Sequence, residues 1–112
     1  MAITQAMCSS FKQELLVGTH NFTNGSGNTF KLALYAIGGG GKSGTTATLG
    51  AATTAFTTTG EVANSGSYAS GGGALTNVTP TLSSTTALTD FADLSFTTAT
   101  ITARGALIHN SS

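Results

Sequence analysis

Over the first seventeen positions the apolar residues fall four apart. Ile3, Met7, Phe11 and Leu15 form the row, Cys8 and Leu16 broaden it, and Gly18 stands just beyond. That spacing is one face of an α-helix and the glycine is a usual stop, so the pattern predicts one amphipathic helix over Ile3 to Val17. From Phe30 the period shortens to two. Phe30, Leu32 and Leu34 alternate with Lys31, Ala33 and Tyr35, which predicts a strand with one strongly apolar face. Four further runs, T-A-F-T-T-T-G-E-V-A, A-L-T-N-V-T-P-T-L, A-L-T-D-F-A-D-L-S-F and T-A-T-I-T-A-R-G-A-L-I-H, are threonine-rich and carry no helical spacing. The branched Cβ of threonine suits a pleated surface better than a helix, so these too read as strands. Turn material separates them: T-H-N-F-T-N-G-S-G-N, N-S-G-S-Y-A-S-G-G-G and L-S-S-T-T. The expected fold is mainly β, a small antiparallel β-sandwich of jelly-roll type preceded by the helix. Residues 1–18 would form a helix or docking arm, and residues 19–112 a single sandwich domain. Pro80 cannot donate to a ladder, which puts its strand at an edge or a bulge.

Composition changes this picture in one respect, the surface. Only 7% of the 112 residues are charged, four basic against four acidic, with a formal net charge of zero. A basic footprint for nucleic acid is missing, and so is a polybasic attraction to an anionic membrane, so neither is expected as a partner. Ser and Thr supply roughly a third of the chain and have to cover what charge does not. Near-zero charge promotes association, a liability for a free monomer and less so for a subunit of an assembly. A dimer or trimer is expected, because edge strands such as the one ending at His109 invite pairing. Cys8 is the only cysteine, which excludes an internal disulfide. The opening M-A-I-T-Q-A-M lacks the basic and apolar regions of a signal peptide, and no run reaches membrane-spanning length.

Candidate chemistry is thin. The stretch A-I-G-G-G-G-K-S-G-T-T sets Gly41, Lys42 and Ser43 as a phosphate-binding loop would, but has Ala36 where that pattern needs glycine. The G-T-T-A-T-L that comes after Ser43 is a poor helix start. A helix N-terminus is what holds the phosphates in such a loop, so Gly38 to Gly44 reads as a mobile loop between strands. His20 and His109 have no His or carboxylate neighbour at metal-binding spacing. Asp90 and Asp93 are the only paired carboxylates; they could hold a hard cation, but the simpler expectation is a strand break where aspartate side chains bond nearby amides. Arg104, the sole arginine, is either a bridge to Asp90, Asp93 or Glu61, within or between chains, or a solvated edge charge; the sequence leaves both open. With eight charged residues in all and no nucleophile elbow, there is little from which to build an acid–base pair. No enzyme activity, cofactor or metal is expected.

The blocks F-K-L-A-L-Y, T-T-A-F-T-T-T-G-E-V, S-Y-A-S-G-G-G-A-L-T-N-V and F-A-D-L-S-F-T-T-A-T-I-T-A-R-G-A-L-I-H-N, in that order, resemble a family of small virion structural proteins of tailed bacteriophages. The likeness runs over most of the chain from Phe30 onward. It implies a non-enzymatic, copy-rich subunit of the head or tail, assembled in the host cytoplasm into the virion. Two departures stand out: the loop Gly38 to Thr46 is longer than in similar sequences, and His109 stands where a tyrosine is usual. The leading expectation is a capsid decoration or cement protein that binds the major capsid protein. A neck, tail or baseplate component, or a small host-surface binding module, are the alternatives. Ile3, Met7, Phe11, Leu15, Arg104 and His109 are the interface candidates, the first four because a one-sided apolar helix needs a groove on something else. The binding-module reading has no tryptophan and only Tyr35 and Tyr68 for an aromatic platform.

Overall fold

A computed structural model describes residues 5–36 and 49–112. Within them lie one helix, α1 (Ser9–Leu16), and five strands: β1 (Phe30–Tyr35), β2 (Gly73–Ala74), β3 (Asn77–Ser83), β4 (Thr86–Phe91) and β5 (Gly105–Asn110). The strands form two antiparallel sheets, one of three strands in the order β2-β1-β5 and one a two-stranded hairpin of β3 and β4. The chain is mainly β with one short helix, as the change of period along the sequence predicts.

α1 is shorter than the expected Ile3 to Val17. Ile3 lies outside the described residues, and Cys8 is extended, with φ −60° and ψ 137°. Tertiary contact sets this start. The Ser9 amide donates to the Ala51 carbonyl at 2.9 Å, and the Cys8 thiol lies 3.6 Å from the Gly50 carbonyl. No side chain caps the helix, so Ala51 satisfies one of the amides that a helix start leaves without an internal partner. At the other end Gly18 takes a left-handed φ of +77°, and the Thr19 amide reaches back to the Glu14 carbonyl at 2.9 Å, a glycine-terminated stop as expected.

β1 is the centre of the molecule. It pairs with β5 along its whole length, from Phe30↔Asn110 to Tyr35↔Gly105, and with β2 through Lys31↔Ala74 and Leu32↔Gly73. Both of its faces are covered, not one. Ala33 and Tyr35, expected on the less apolar side, are fully buried and pack on Leu49, Phe56 and Leu107. On the other face Leu34 meets the cluster of Ala36, Val62 and Tyr68, closed by Phe96 and Ile101. The covering residues belong mostly to irregular segments, and this is where the expected strands fail. The run T-A-F-T-T-T-G-E-V-A joins the sheet only through a single Tyr35↔Glu61 bridge, and the last run becomes a strand only at Gly105. Phe56, Phe96 and Ile101 serve as plugs against the sheet, and packing of that kind overrides the strand preference of the threonines around them.

The β3–β4 hairpin turns through Ser84 and Thr85, with Ser83 opposite Thr86. Its register runs from Val78↔Asp90 to Thr81↔Leu88, so β3 carries one extra residue around Thr79 and Pro80, the bulge that the proline calls for. β4 ends at Phe91, whose amide the Asp90 carboxylate accepts at 2.8 Å, in keeping with the expected aspartate-marked break. The hairpin is anchored at its base and, along β3, through the Thr79 hydroxyl, which accepts the Asn24 amide at 3.0 Å. Phe91 joins Phe22 and Phe30 at ring separations of 6.1 and 5.7 Å, and the Asn77 side-chain amide donates to the carbonyls of Asn28 and Thr23. From Val78 to Asp90 every residue is exposed.

Candidate functional site

The densest polar constellation surrounds Glu61. Its position follows from the chain path: the Ala36 amide bonds the Gly60 carbonyl and the Val62 amide bonds the Leu34 carbonyl, both at 2.9 Å, which lays Gly60–Val62 along the edge of β1. The carboxylate then points inward and is fully buried. It accepts hydrogen bonds from the Tyr68 hydroxyl at 2.8 Å, the Gly71 amide at 2.7 Å and the Ser70 hydroxyl at 3.2 Å. The turn that delivers Tyr68 is closed by reciprocal bonds between Ser65 and Tyr68. Gly72 is required next to it, since its φ is +100° and a Cβ there would collide with the Leu32 carbonyl. The Tyr68 hydroxyl also accepts the Leu34 amide at 2.9 Å, so the network ties the 60s loop to β1.

Burial is the main reason that the Tyr68 phenol titrates well above its ordinary range. The Leu34 amide opposes that shift and the Glu61 carboxylate reinforces it. Tyr35, which donates to the Thr57 carbonyl at 2.7 Å, is raised for the same reason, by burial first and then by the Glu61 charge. A closed carboxylate with three donors organises the fold; it has no open side on which to receive a substrate. The sequence blocks G-E-V and S-Y-A-S-G-G-G contain every member of this network, but nothing in their spacing shows that they meet.

The interface candidates do not form one patch. Met7 precedes α1 and is 54% exposed, while Leu15, Leu16 and Val17 are exposed at its far end. Phe11 turns instead to its own chain, 4.9 Å from the His20 ring and 6.1 Å from Phe22, and Phe22 in turn stacks on Phe30 at 4.4 Å. His20 is the joint of this cluster. Its Nε2 lies 2.5 Å from Glu14 and its Nδ1 3.0 Å from the Asn110 side-chain nitrogen. The Asn110 oxygen accepts the Ser112 amide, so its NH2 faces the ring, Nδ1 accepts, and Nε2 carries the proton toward Glu14. His109 stacks on Phe56 at 4.2 Å and its Nε2 meets the Gly71 carbonyl at 2.9 Å. Arg104 lies exposed in the bend before β5, where its amide bonds the Tyr35 carbonyl. Ile3 and the glycine-rich loop Gly38 to Gly44 lie outside the described residues.

The strands and turn of the hairpin are legible in the sequence, but its exposure is not. Leu82 is 76% exposed, and Leu88 and Val78 are about half exposed, on an element that carries no charged residue from Asn77 to Thr89. The only hint was the uncharged run V-T-P-T-L-S-S-T-T-A-L-T. Elsewhere a shallow groove of about 260 Å³ runs between residues 62–65 and 100–102, lined by hydroxyl side chains together with Val62, Ala63, Asn64 and Ile101. Among the described residues no three of His, Cys, Asp and Glu gather, and no helix is long and apolar enough to cross a membrane. Compared with known proteins, the chain matches no family model, no curated protein and no solved structure.

Proposed function

We propose that this chain is a non-enzymatic structural subunit of a tailed-bacteriophage virion, and within it a capsid decoration or cement protein. The observation that carries this reading is the bare hairpin: thirteen successive exposed residues, Val78 to Asp90, with large apolar side chains and a single charge. Surface of that kind is costly for a free monomer and is normal for a subunit whose partners cover it. The major capsid protein and further copies of this chain are the partners. Mass action supplies the mechanism, since a ligand that binds only the assembled shell stabilises that shell. The exposed end of α1 and the hairpin would supply the apolar contacts, and the Ser/Thr surface would supply uncharged hydrogen bonds around them. The sandwich arrangement expected from the sequence belongs to the same proposal: in the assembly the faces of β3 and β4 find a second layer to pack on.

The test is the copy number in purified virions, by mass spectrometry against the major capsid protein, followed by electron microscopy to place the subunit. A ratio near one per capsid subunit, or a simple fraction of it, is expected. A few copies per particle would move the protein to the neck, tail or baseplate. Its absence from virions would overturn the structural reading in favour of a host-surface binding module.

A further inference from the structure

We infer that the outer edge of β4 is a self-association site, at which a second copy of this chain pairs antiparallel about Leu88 to make a four-stranded sheet β3-β4-β4-β3. The inference rests on the proposed role as an assembly subunit and names the contact between copies.

A two-stranded ribbon exposed on both faces is marginal in water, and the usual remedy is another strand. The two outer edges of this one are not equivalent. Along β3 the Thr79 hydroxyl accepts the Asn24 amide at 3.0 Å, and Pro80 brings a bulge and no amide hydrogen. Along β4 there is no proline, and among the described residues no segment pairs with its outer side. Strand edges that must stay unpaired are commonly guarded by lysine or other charges. β4 has none from Thr86 to Thr89.

The same absence of charge is what a second copy of this chain, the inferred occupant, requires of this edge. In a two-fold antiparallel pair each residue near the axis meets itself or a near neighbour, so any charge there would face its own sign. With the axis at Leu88, Leu88 meets Leu88, Ala87 meets Thr89, and Asp90 falls opposite a Thr86 hydroxyl able to donate to it. The two Asp90 side chains are then well apart. Leu88 is 48% exposed and lies on the face shared with Val78, so self-pairing would cover apolar surface on both copies. The pairing also closes on itself, because the edges left outside are the two β3 edges with their prolines, and the product is a dimer and not a fibre.

The test is the solution mass of the full chain by sedimentation velocity over a range of concentrations, for wild type, Leu88→Lys and a Cys8→Ser/Leu88→Cys pair. The wild type is expected to be a dimer. Leu88→Lys places two ammonium groups at the axis and is expected to raise the dissociation constant at least about tenfold, with an unchanged circular dichroism spectrum. The cysteine variant is expected to give a disulfide-linked dimer under mild oxidation. A monomeric wild type, a Leu88→Lys dimer as tight as wild type, or a cysteine variant that does not cross-link would each overturn the inference. Virion copy number would be unaffected by any of these results, so the two readings fail separately.

Discussion

Glu61 shows how far a single residue's role can lie from its look in the sequence. The sequence offers Glu61 only as one of three possible bridge partners for Arg104, yet here it is the acceptor at the centre of a buried network. Removing it leaves the Tyr68 hydroxyl and the Gly71 amide buried without their acceptor, and an orphaned buried donor costs more than a made bond contributes. Glu61→Ala is expected to lower stability by about 3 kcal/mol in urea unfolding. Glu61→Gln keeps one oxygen for Tyr68 and Gly71 and can turn its NH2 to the Ser70 hydroxyl, so it is expected to cost only about 1 kcal/mol. Equal losses in the two variants would show that the network is not what the residue contributes. Phe11 carries the same lesson for the interface candidates: its helical spacing with Met7 and Leu15 is real in the sequence, but its ring is used internally against His20 and Phe22.

Among the elements, the hairpin departs most from the local rules. Its two-residue loop places Ser84 at φ +55°, a left-handed conformation that glycine adopts without the steric cost carried by a side chain. Ser84→Gly should relieve about 1 kcal/mol of that cost, slightly offset by greater freedom of the unfolded loop. Since the hairpin is anchored at Asn77, Thr79 and Phe91 and not near its tip, the gain should appear locally, as about fivefold slower hydrogen exchange of the β3 and β4 amides. Unchanged exchange would mean that the loop conformation does not limit the hairpin. α1 illustrates the complementary case. Its stop at Gly18 was written in the sequence, whereas its start was set by the Ala51 carbonyl, forty-two residues away from Ser9 in the chain.

At the scale of the whole molecule, the core is small and is built around two phenols. Tyr35 and Tyr68 are both buried, and both stay neutral to higher pH than an unfolded tyrosine, Tyr68 by the larger margin. A raised folded pKa means that the native state keeps its proton more tightly than the unfolded state. Its contribution is therefore complete below about pH 10 and is lost as the pH rises above that value. The melting temperature is expected to fall steeply above pH 10, and less steeply in Tyr68→Phe, which starts lower because the Leu34 amide and Glu61 lose a partner. Parallel curves for the two proteins would exclude Tyr68 as a source of alkaline unfolding. The hairpin and the ends of α1 lie outside this core.

By itself the sequence determined the local features: β1, the helix stop, an edge or bulge at Pro80, the aspartate-marked end of β4, the mainly β character and the uncharged surface. Each depends on a period, a single side chain or a composition, and all of these act over a few residues. Tertiary structure alone decided that both faces of β1 are covered, that threonine-rich runs stay irregular while their phenylalanines plug the sheet, and that Glu61 meets Tyr68. It also decided that β3 and β4 stand clear of the body. These outcomes depend on which distant segments meet, and short threonine-rich runs of equal strand preference do not specify that choice until packing and buried hydrogen bonds select among them.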